Sequence, residues 1–362
     1  MTPADPSDQH AGQPADQPVP GAKWFAGYDA GDPASAAADA VLTDRFTRLT
    51  AAYDKVRDRL TDKRIRKLRV TTRRADLAVR FAEPRLAKKK AARVRGSLRS
   101  LRRAGGAVRR CDLYIERLGR LLDRSAASDV RPAATAIVGQ LAAERAAAVD
   151  ALAAQIAHDA PRQPDQRACA AGKNDAPQPQ QSGSVLAARL LSRAADAFRR
   201  QSTAAPLEVE PLHDLRLRAK KLRYAAELAV PVVGAEAAGD LIAALVPLQD
   251  ELGTLNDVAE LADALTGAVQ QFASLQSDPA GLRRGAERLF LAASAERDRR
   301  LVAFSVSRAG LIRDITDALE PCLSAAAAAR RGMPDNSSMS RPADSEPSGG
   351  LRLTGEAGWG VG

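Results

Sequence analysis

One helical passage occurs twice in this chain, and each copy carries a row of cationic side chains. The copies begin at Arg66 and at His213. Pro84 and Pro231 lie at the same distance from these two starting residues. Gly106 and Gly253 also occupy matching positions in the two copies. A fixed period across cations, a proline and a glycine indicates a duplicated structural unit.

The apolar part of the sequence favours packed helices. Hydrophobic residues make up 45% of the 362 residues but aromatic residues only 4%, so that Ala, Leu and Val form the core. No run of about 18 uncharged apolar residues occurs, and the N-terminus lacks a signal pattern, so we expect no membrane span. Cys111, Cys169 and Cys322 are isolated in the sequence, which favours a reducing, cytoplasmic setting.

Positive charge is concentrated in one part of the chain. Residues 51–110 carry 22 Lys and Arg against 5 Asp and Glu, whereas the whole chain has a net charge of +10. A solvated helix face normally mixes both signs, because like charges one turn apart repel. This block therefore predicts an anionic partner, although a genome biased towards Arg and Ala codons is an alternative cause.

Changes in composition divide the chain into five segments. We predict an all-α fold of two duplicated four-helix bundles, in pseudo-symmetric halves around a central basic groove. The predicted segments are a disordered tail (1–38), a first helical half (39–160), a disordered insert (161–184), a second helical half (185–330) and a disordered tail (331–362). Proline and glycine are taken as helix breaks, most clearly at Pro84, Gly105–Gly106, Pro231 and Gly253. In the last segment of the fold, separate helices are predicted over 282–303 and 310–328.

At about 100° per residue, three helices each present an apolar seam beside a cationic ridge. The ridges supply the candidate binding residues: Arg66, Arg69, Arg73 and Arg80; Lys88, Arg95, Arg99 and Arg102; and His213, Arg216, Lys220 and Arg223. Cations that repeat at about 5 to 6 Å match a chain of closely spaced anions. The planar arginine fork suits phosphate. No metal ligands or cofactor-binding motifs are predicted.

Each feature also has a plainer interpretation. A single arginine row is usually a solvated face, and His213 near a helix start can simply bond the backbone. Asp112, Asn256 and Asp257 lie after the predicted glycine breaks, where helix capping would account for them.

The second copy resembles the signature of the CHAD family, the conserved-histidine α-helical domain. Residues 213–224 read HDLRLRAKKLRY and residues 252–257 read LGTLND, which match the histidine and glycine motifs of that family. The first copy departs from the pattern: Arg66 stands at the histidine, Ala75–Asp76 replaces Leu-Arg, and Arg110 stands at the expected aspartate.

The resemblance implies a helical domain with a basic groove that binds inorganic polyphosphate. It also implies association with polyphosphate granules, and an enzyme of phosphate metabolism as a protein partner, because family members are often fused or adjacent to CYTH-type triphosphate-processing enzymes. No CYTH-like ExExK motif occurs here, so the chain is expected to be a stand-alone, non-catalytic binder.

Two other functions are weighed beside this one. Nucleic-acid binding is favoured by the isoelectric point of about 9.9, but the basic block offers few aromatic stacking platforms and no known recognition pattern. An enzyme acting on phosphate chains would need clustered carboxylates for Mg²⁺, and the basic ridges lack them.

Overall fold

The computed structural model describes residues 27–123, 130–158, 181–204, 206–274, 277 and 281–331, and within them the chain folds into eight α-helices. Their bounds are α1 Ala34–Asp58, α2 Asp62–Ala82, α3 Lys88–Asp123, α4 Val130–His158, α5 Gly183–Ala204, α6 Val209–Val233, α7 Ala235–Ala273 and α8 Leu282–Arg331. The predicted all-α fold of two four-helix halves is confirmed, with α1–α4 as the first half and α5–α8 as the second.

The duplication keeps its register in the structure. The repeat shift, defined as the offset that carries Arg66 onto His213, also carries Asp62 at the start of α2 onto Val209 at the start of α6. The same shift carries the first residue of α3 onto the first residue of α7. Every residue of α2 and α3 therefore has a defined counterpart in the second half.

The two halves share one hydrophobic core. Helices that follow each other in sequence pack together within each half, and α4 and α5 both pack on α8. The central cluster of buried apolar residues takes side chains from α1 to α8, among them Leu49, Leu68, Leu222 and Leu245. A smaller cluster around Leu118 joins the outer ends of α3, α4, α7 and α8.

A buried ion pair joins α2 to α6 between the halves. Arg74, 7% exposed, donates from Nε and Nη2 to the two carboxylate oxygens of Glu227, 1% exposed, at 3.0 Å each. The Arg74 guanidinium also lies 5.2 Å from the ring centroid of Tyr224. Burial lowers the pKa of nearby Arg45 to about 10, and the Glu227 charge opposes that shift. Asp44, which lies 3.4 Å from Arg45, opposes that shift more strongly, so Asp44 and Glu227 together compensate these desolvated guanidinium groups.

Both predicted glycine breaks are wrong. Helix α3 continues through Gly105–Gly106, and α7 continues through Gly253. Glycine inside a helix costs only about 1 kcal/mol relative to alanine, and the burial of Leu101 and Val108 on either side favours continuation. The polar residues that follow Gly253, at 256 and 257, therefore lie inside α7. The capping interpretation of Asn256 and Asp257 is wrong as well.

The two prolines of the repeat behave differently. The stop at Pro84 is confirmed, because α2 ends at Ala82 and Pro84 lies in a 3₁₀ turn, Glu83–Arg85. Pro231 instead lies inside α6, which ends at Gly234 with a φ of 86° that favours glycine. Likewise α8 is one continuous helix, although the sequence predicts two separate helices there.

The predicted N-terminal tail, residues 1–38, is too long. Helix α1 begins at Ala34, and the preceding Tyr28 is buried and donates a hydrogen bond to the Leu228 carbonyl at 2.7 Å. The disorder predicted for 161–184 and 331–362 falls almost wholly outside the described residues, except that α5 already begins at Gly183 and α8 reaches Arg331. No helix in the described ranges has the length and hydrophobicity needed to cross a bilayer.

Removing the Glu227 charge is expected to weaken the fold strongly. In Glu227→Gln, Arg74 stays buried and loses the carboxylate that accepts two of its hydrogen bonds, and breaking a buried pair in this way costs about 3 kcal/mol. Urea denaturation followed by circular dichroism measures the loss in free energy of unfolding. Asp54→Asn, which breaks the exposed Arg57–Asp54 pair, serves as the control and should change stability by less than about 0.5 kcal/mol. Equal effects of the two variants would contradict the role given to Glu227.

Candidate functional site

Six cations from α2, α3 and α6 interact electrostatically between the halves. We call this set the central cluster: it consists of Arg69, Lys220 and the cations with the strongest influence on their pKa values, namely Arg73, Arg102, Arg109 and Arg216. All six side chains are partly buried. The cationic ridges predicted on α2 and α6 are thus brought together at their middle turns, and α3 adds a third contribution.

Arg69 shows how strongly the cluster is desolvated. Burial lowers the pKa of Arg69 to about 10, and repulsion from Arg73, Arg109, Arg102 and Arg216 lowers that pKa further. The charges with the largest effect on Arg69 are therefore all positive. An anion placed among them would remove an unfavourable interaction as well as add a favourable one.

Glycine lets two of these arginines lie close to the neighbouring helix. A Cβ atom at Gly105 would lie 3.3 Å from Cγ of Arg69, and one at Gly253 would lie 3.3 Å from Nη2 of Arg216. Arg69 and Arg216 are counterparts in the repeat, and each packs against the helix that follows its own. Gly105 and Gly253 therefore allow Arg69 and Arg216 to pack closely against the next helix, and they do not end the helices that contain them.

The same two arginines keep buried donors without partners. The Nε atoms of Arg69 and Arg216 are both buried and make no hydrogen bond with any described residue. Buried polar groups are usually paired, because an unpaired one costs roughly 1–3 kcal/mol. Two equivalent unpaired guanidinium donors in one cationic cluster indicate a site that is completed by an acceptor.

Lys220 is the member of the cluster most sensitive to pH. Burial lowers the pKa of Lys220 from 10.5 to about 7, and the charges of Arg216 and Arg73 lower that pKa further. Asp257 opposes the shift. Near neutral pH this lysine is therefore divided between its charged and neutral forms, and a nearby anion would favour the charged form.

The side chains of α7 that lie beside α6 and α3 are polar and partly acidic. The ring nitrogen Nδ1 of His213 is hydrogen-bonded to Oδ1 of Asn256, whose amide donates to Glu260 at 2.7 Å. Asp257 accepts a bond from Arg117 of α3 at 3.2 Å. His213 thus bonds a side chain of α7 rather than the backbone of its own helix, and this network fixes α6 beside α7.

The remaining predicted residues lie around the cluster rather than in it. Arg80 and Arg95 share the carboxylate of Asp76, each at 3.2 Å. Arg223 lies 3.6 Å from Glu227 in the buried ion-pair network between α2 and α6. The exposed members of the predicted set are Arg66, Lys88 and Arg99.

Arg109 belongs to the cluster but is absent from the predicted set. It follows Arg102 by two helical turns on one face of a continuous α3. The glycine break assumed at Gly105–Gly106 separated the two residues and hid this spacing. Across the described residues, no group of three or more His, Cys, Asp or Glu side chains is placed to hold a metal ion.

Comparisons with known proteins agree with this architecture. The family model for the CHAD domain matches residues 35–266. The CHAD domain from the plant Ricinus communis is similar in structure, with a TM-score of 0.56 and 19% identity over 81% of this chain and 93% of that one. PptA from Streptomyces chartreusis has a TM-score of 0.55 and 18% identity over 80% of this chain and 99% of that one. No curated protein sequence gives a significant match.

Replacing Lys220 by methionine should stabilise the protein in a pH-dependent way. The folded-state pKa of Lys220, about 7, lies below its ordinary value of 10.5. The charged lysine therefore costs stability in full below pH 7, and the cost disappears as the pH rises towards 10.5. Thermal melts of Lys220→Met should exceed those of the parent at pH 6, and the difference should shrink by pH 9.5.

Lys89→Met, at an exposed position of α3, is the matched control for this experiment. It removes the same charge from solvent and should show no such dependence. A pH-independent effect of Lys220→Met would contradict the desolvation of Lys220.

Proposed function

Because this chain belongs to the CHAD family, we propose that it binds inorganic polyphosphate at the central cluster without catalysing a reaction. The observation that carries the proposal is the convergence of six partly buried cations from three helices, with unpaired Nε donors on Arg69 and Arg216. Arginine forks bind two phosphate oxygens at once, and a linear polyanion can reach several of them together.

The arrangement favours a polymer over a single small anion. Cations one turn apart on a helix lie about 5 to 6 Å from each other, which suits a chain of closely spaced anions rather than one small anion. Association with phosphate-rich granules and with an enzyme of phosphate metabolism are part of this proposal. The cluster takes its cations from nearby turns of α2 (Arg69 and Arg73), of α6 (Arg216 and Lys220) and of α3 (Arg102 and Arg109).

Binding should depend on the position of the charges and not only on their number. We expect Arg69→Met with Arg216→Met to lower the affinity for long-chain polyphosphate at least tenfold, since each charge-assisted hydrogen bond contributes about 1.5–3 kcal/mol. Lys89→Met with Arg103→Met removes the same net charge from exposed positions of α3 and should change the affinity less than threefold. Fluorescence anisotropy with end-labelled polyphosphate across a salt series measures both.

The salt series and two further assays distinguish polyphosphate binding from non-specific attraction, nucleic-acid binding and catalysis. Counterion release predicts that the affinity falls steeply with salt and that the slope decreases in the central-cluster variant. Equal losses in the two double variants would mean non-specific attraction and would refute the site. Displacement of polyphosphate by duplex DNA at equal phosphate concentration would identify nucleic acid as the ligand. Release of orthophosphate in the presence of Mg²⁺ would show turnover instead of binding.

Polyphosphate binding should also take up protons through Lys220. An anion at the cluster raises the lowered pKa of Lys220, so that the lysine is protonated on binding at a pH above about 7. Isothermal titration calorimetry at pH 8.5 in Hepes and in Tris should give binding enthalpies that differ by the number of protons taken up multiplied by the difference between the ionisation enthalpies of the two buffers. Lys220→Met should abolish the difference. The same proton uptake in that variant would place the titrating group elsewhere.

A further inference from the structure

A cleft between α2, α5 and α6 holds a second concentration of positive charge. Its volume is about 180 Å³, and its apolar lining includes the partly exposed Leu190, Ala194 and Ala197 beside the buried Leu77 and Phe81. The cleft lies on the α5 side of α2 and α6 and shares no residue with the central cluster. Its charged lining consists of the cations Arg80, Arg189, Arg193, Arg218 and Lys221 with one carboxylate, that of Glu83.

The internal repeat shows what this cleft lacks. The repeat shift carries Arg74 onto Lys221, and it carries Arg80 onto Glu227. In one of the two equivalent places, Arg74 and Glu227 form the buried ion pair that joins the halves. In the other, Lys221 and Arg80 line the cleft together, and both are cations. The cleft is thus the counterpart of a closed salt bridge, with the carboxylate missing.

Helix α5 also carries more positive charge at the cleft than α1 carries at the equivalent positions. The counterparts of Arg189 and Arg193 are Leu42 and Phe46, which are 0% and 2% exposed in the core. Two apolar side chains that fill space in the first half are therefore replaced by two guanidinium groups at the cleft. These cations stand where the repeat otherwise uses packing residues.

The carboxylates near the cleft are already engaged. Asp76 accepts from both Arg80 and Arg95, and Glu83 lies 3.6 Å from Arg95. Lys221 and Arg193 are exposed side chains at the cleft. Desolvation, followed by repulsion from Arg218 and Arg80, still lowers the pKa of Lys221. Among the described residues, none forms an ion pair with Arg189, Arg193, Arg218 or Lys221.

We propose that this cleft binds a small organic anion. Its phosphate or carboxylate group lies between Lys221 and Arg80 and supplies there the negative charge that Glu227 supplies in the Arg74–Glu227 pair. Its apolar body covers the partly exposed side chains of Leu190, Ala194 and Ala197 in the cleft. The apolar lining distinguishes this ligand from inorganic polyphosphate, which offers no surface to cover those side chains.

Titration of the full chain with aromatic anions tests the cleft. Phenyl phosphate and benzoate carry the two acid groups on one apolar body, and orthophosphate lacks the body. Calorimetry should show saturable binding of at least one aromatic anion, at least tenfold tighter than that of orthophosphate. The tighter of the two aromatic anions identifies the acid group.

Variants place the binding in the cleft. Arg189→Leu with Arg193→Phe installs the residues of the first half and should weaken the aromatic anion at least tenfold, while polyphosphate retention stays unchanged. Arg193→Gln is a milder variant that should weaken it about threefold or more. Arg200→Leu, an exposed arginine of the same helix outside the cleft, is the control and should have no effect.

The central-cluster variant Arg69→Met with Arg216→Met separates the two sites. It should lose polyphosphate yet bind the aromatic anion as the parent chain does. The proposal is overturned by any of three results: no saturable binding of either aromatic anion, equal binding of orthophosphate, or unchanged binding when both arginines of α5 are replaced.

Discussion

The burial of like charges between α2 and α6 is the constraint on which this structure depends. These helices carry the two copies of the basic passage, and their packing between the halves desolvates cations on both. Taking a charge out of water costs several kcal/mol unless a partner compensates it. At the Arg74–Glu227 pair the chain supplies that partner itself. At the central cluster the strongest influences on Arg69 are other cations. The chain itself thus compensates one set of buried cations, and under the proposed function a bound polyanion compensates the other.

The two copies contribute different charges to the surroundings of the central cluster. Helix α3 contributes Arg102 and Arg109, whereas the counterparts of these residues on α7 are Gln249 and Asn256. Asp257 on α7 moderates the lowering of the pKa of Arg216 and of Lys220. Under the proposed function, a polyanion would therefore be attracted most strongly towards α2 and α3, and the carboxylate of Asp257 on α7 would oppose its extension across α6. The first copy has Arg66 and Arg110 where the family pattern has a histidine and an aspartate, which agrees with its larger share of positive charge.

The sequence alone predicted the helical class, the duplicated halves and the inner turns of the cationic ridges. These features depend on local periodicity and on a gapless repeat, which a sequence displays directly. It did not predict that α3 continues through Gly105 and α7 through Gly253, since that depends on how Arg69 and Arg216 pack against these helices. Nor did it separate the cations that Asp76 and Glu227 neutralise, Arg95 and Arg223 among them, from those of the cluster. Helical angle places a side chain on a face, but only the packed structure shows which carboxylate lies opposite it.

Stability and binding are opposed in such an arrangement. Repulsion within the central cluster destabilises the free protein, and a bound polyanion returns that free energy as affinity and as stabilisation of the folded state. The Arg74–Glu227 ion pair stabilises the packing of α2 on α6, the two helices that carry four of the six cluster cations. A carboxylate placed at the cluster would stabilise the free chain but would occupy the position of the ligand. Glu227 instead pairs with Arg74, where it stabilises the fold and leaves the cations of the cluster available.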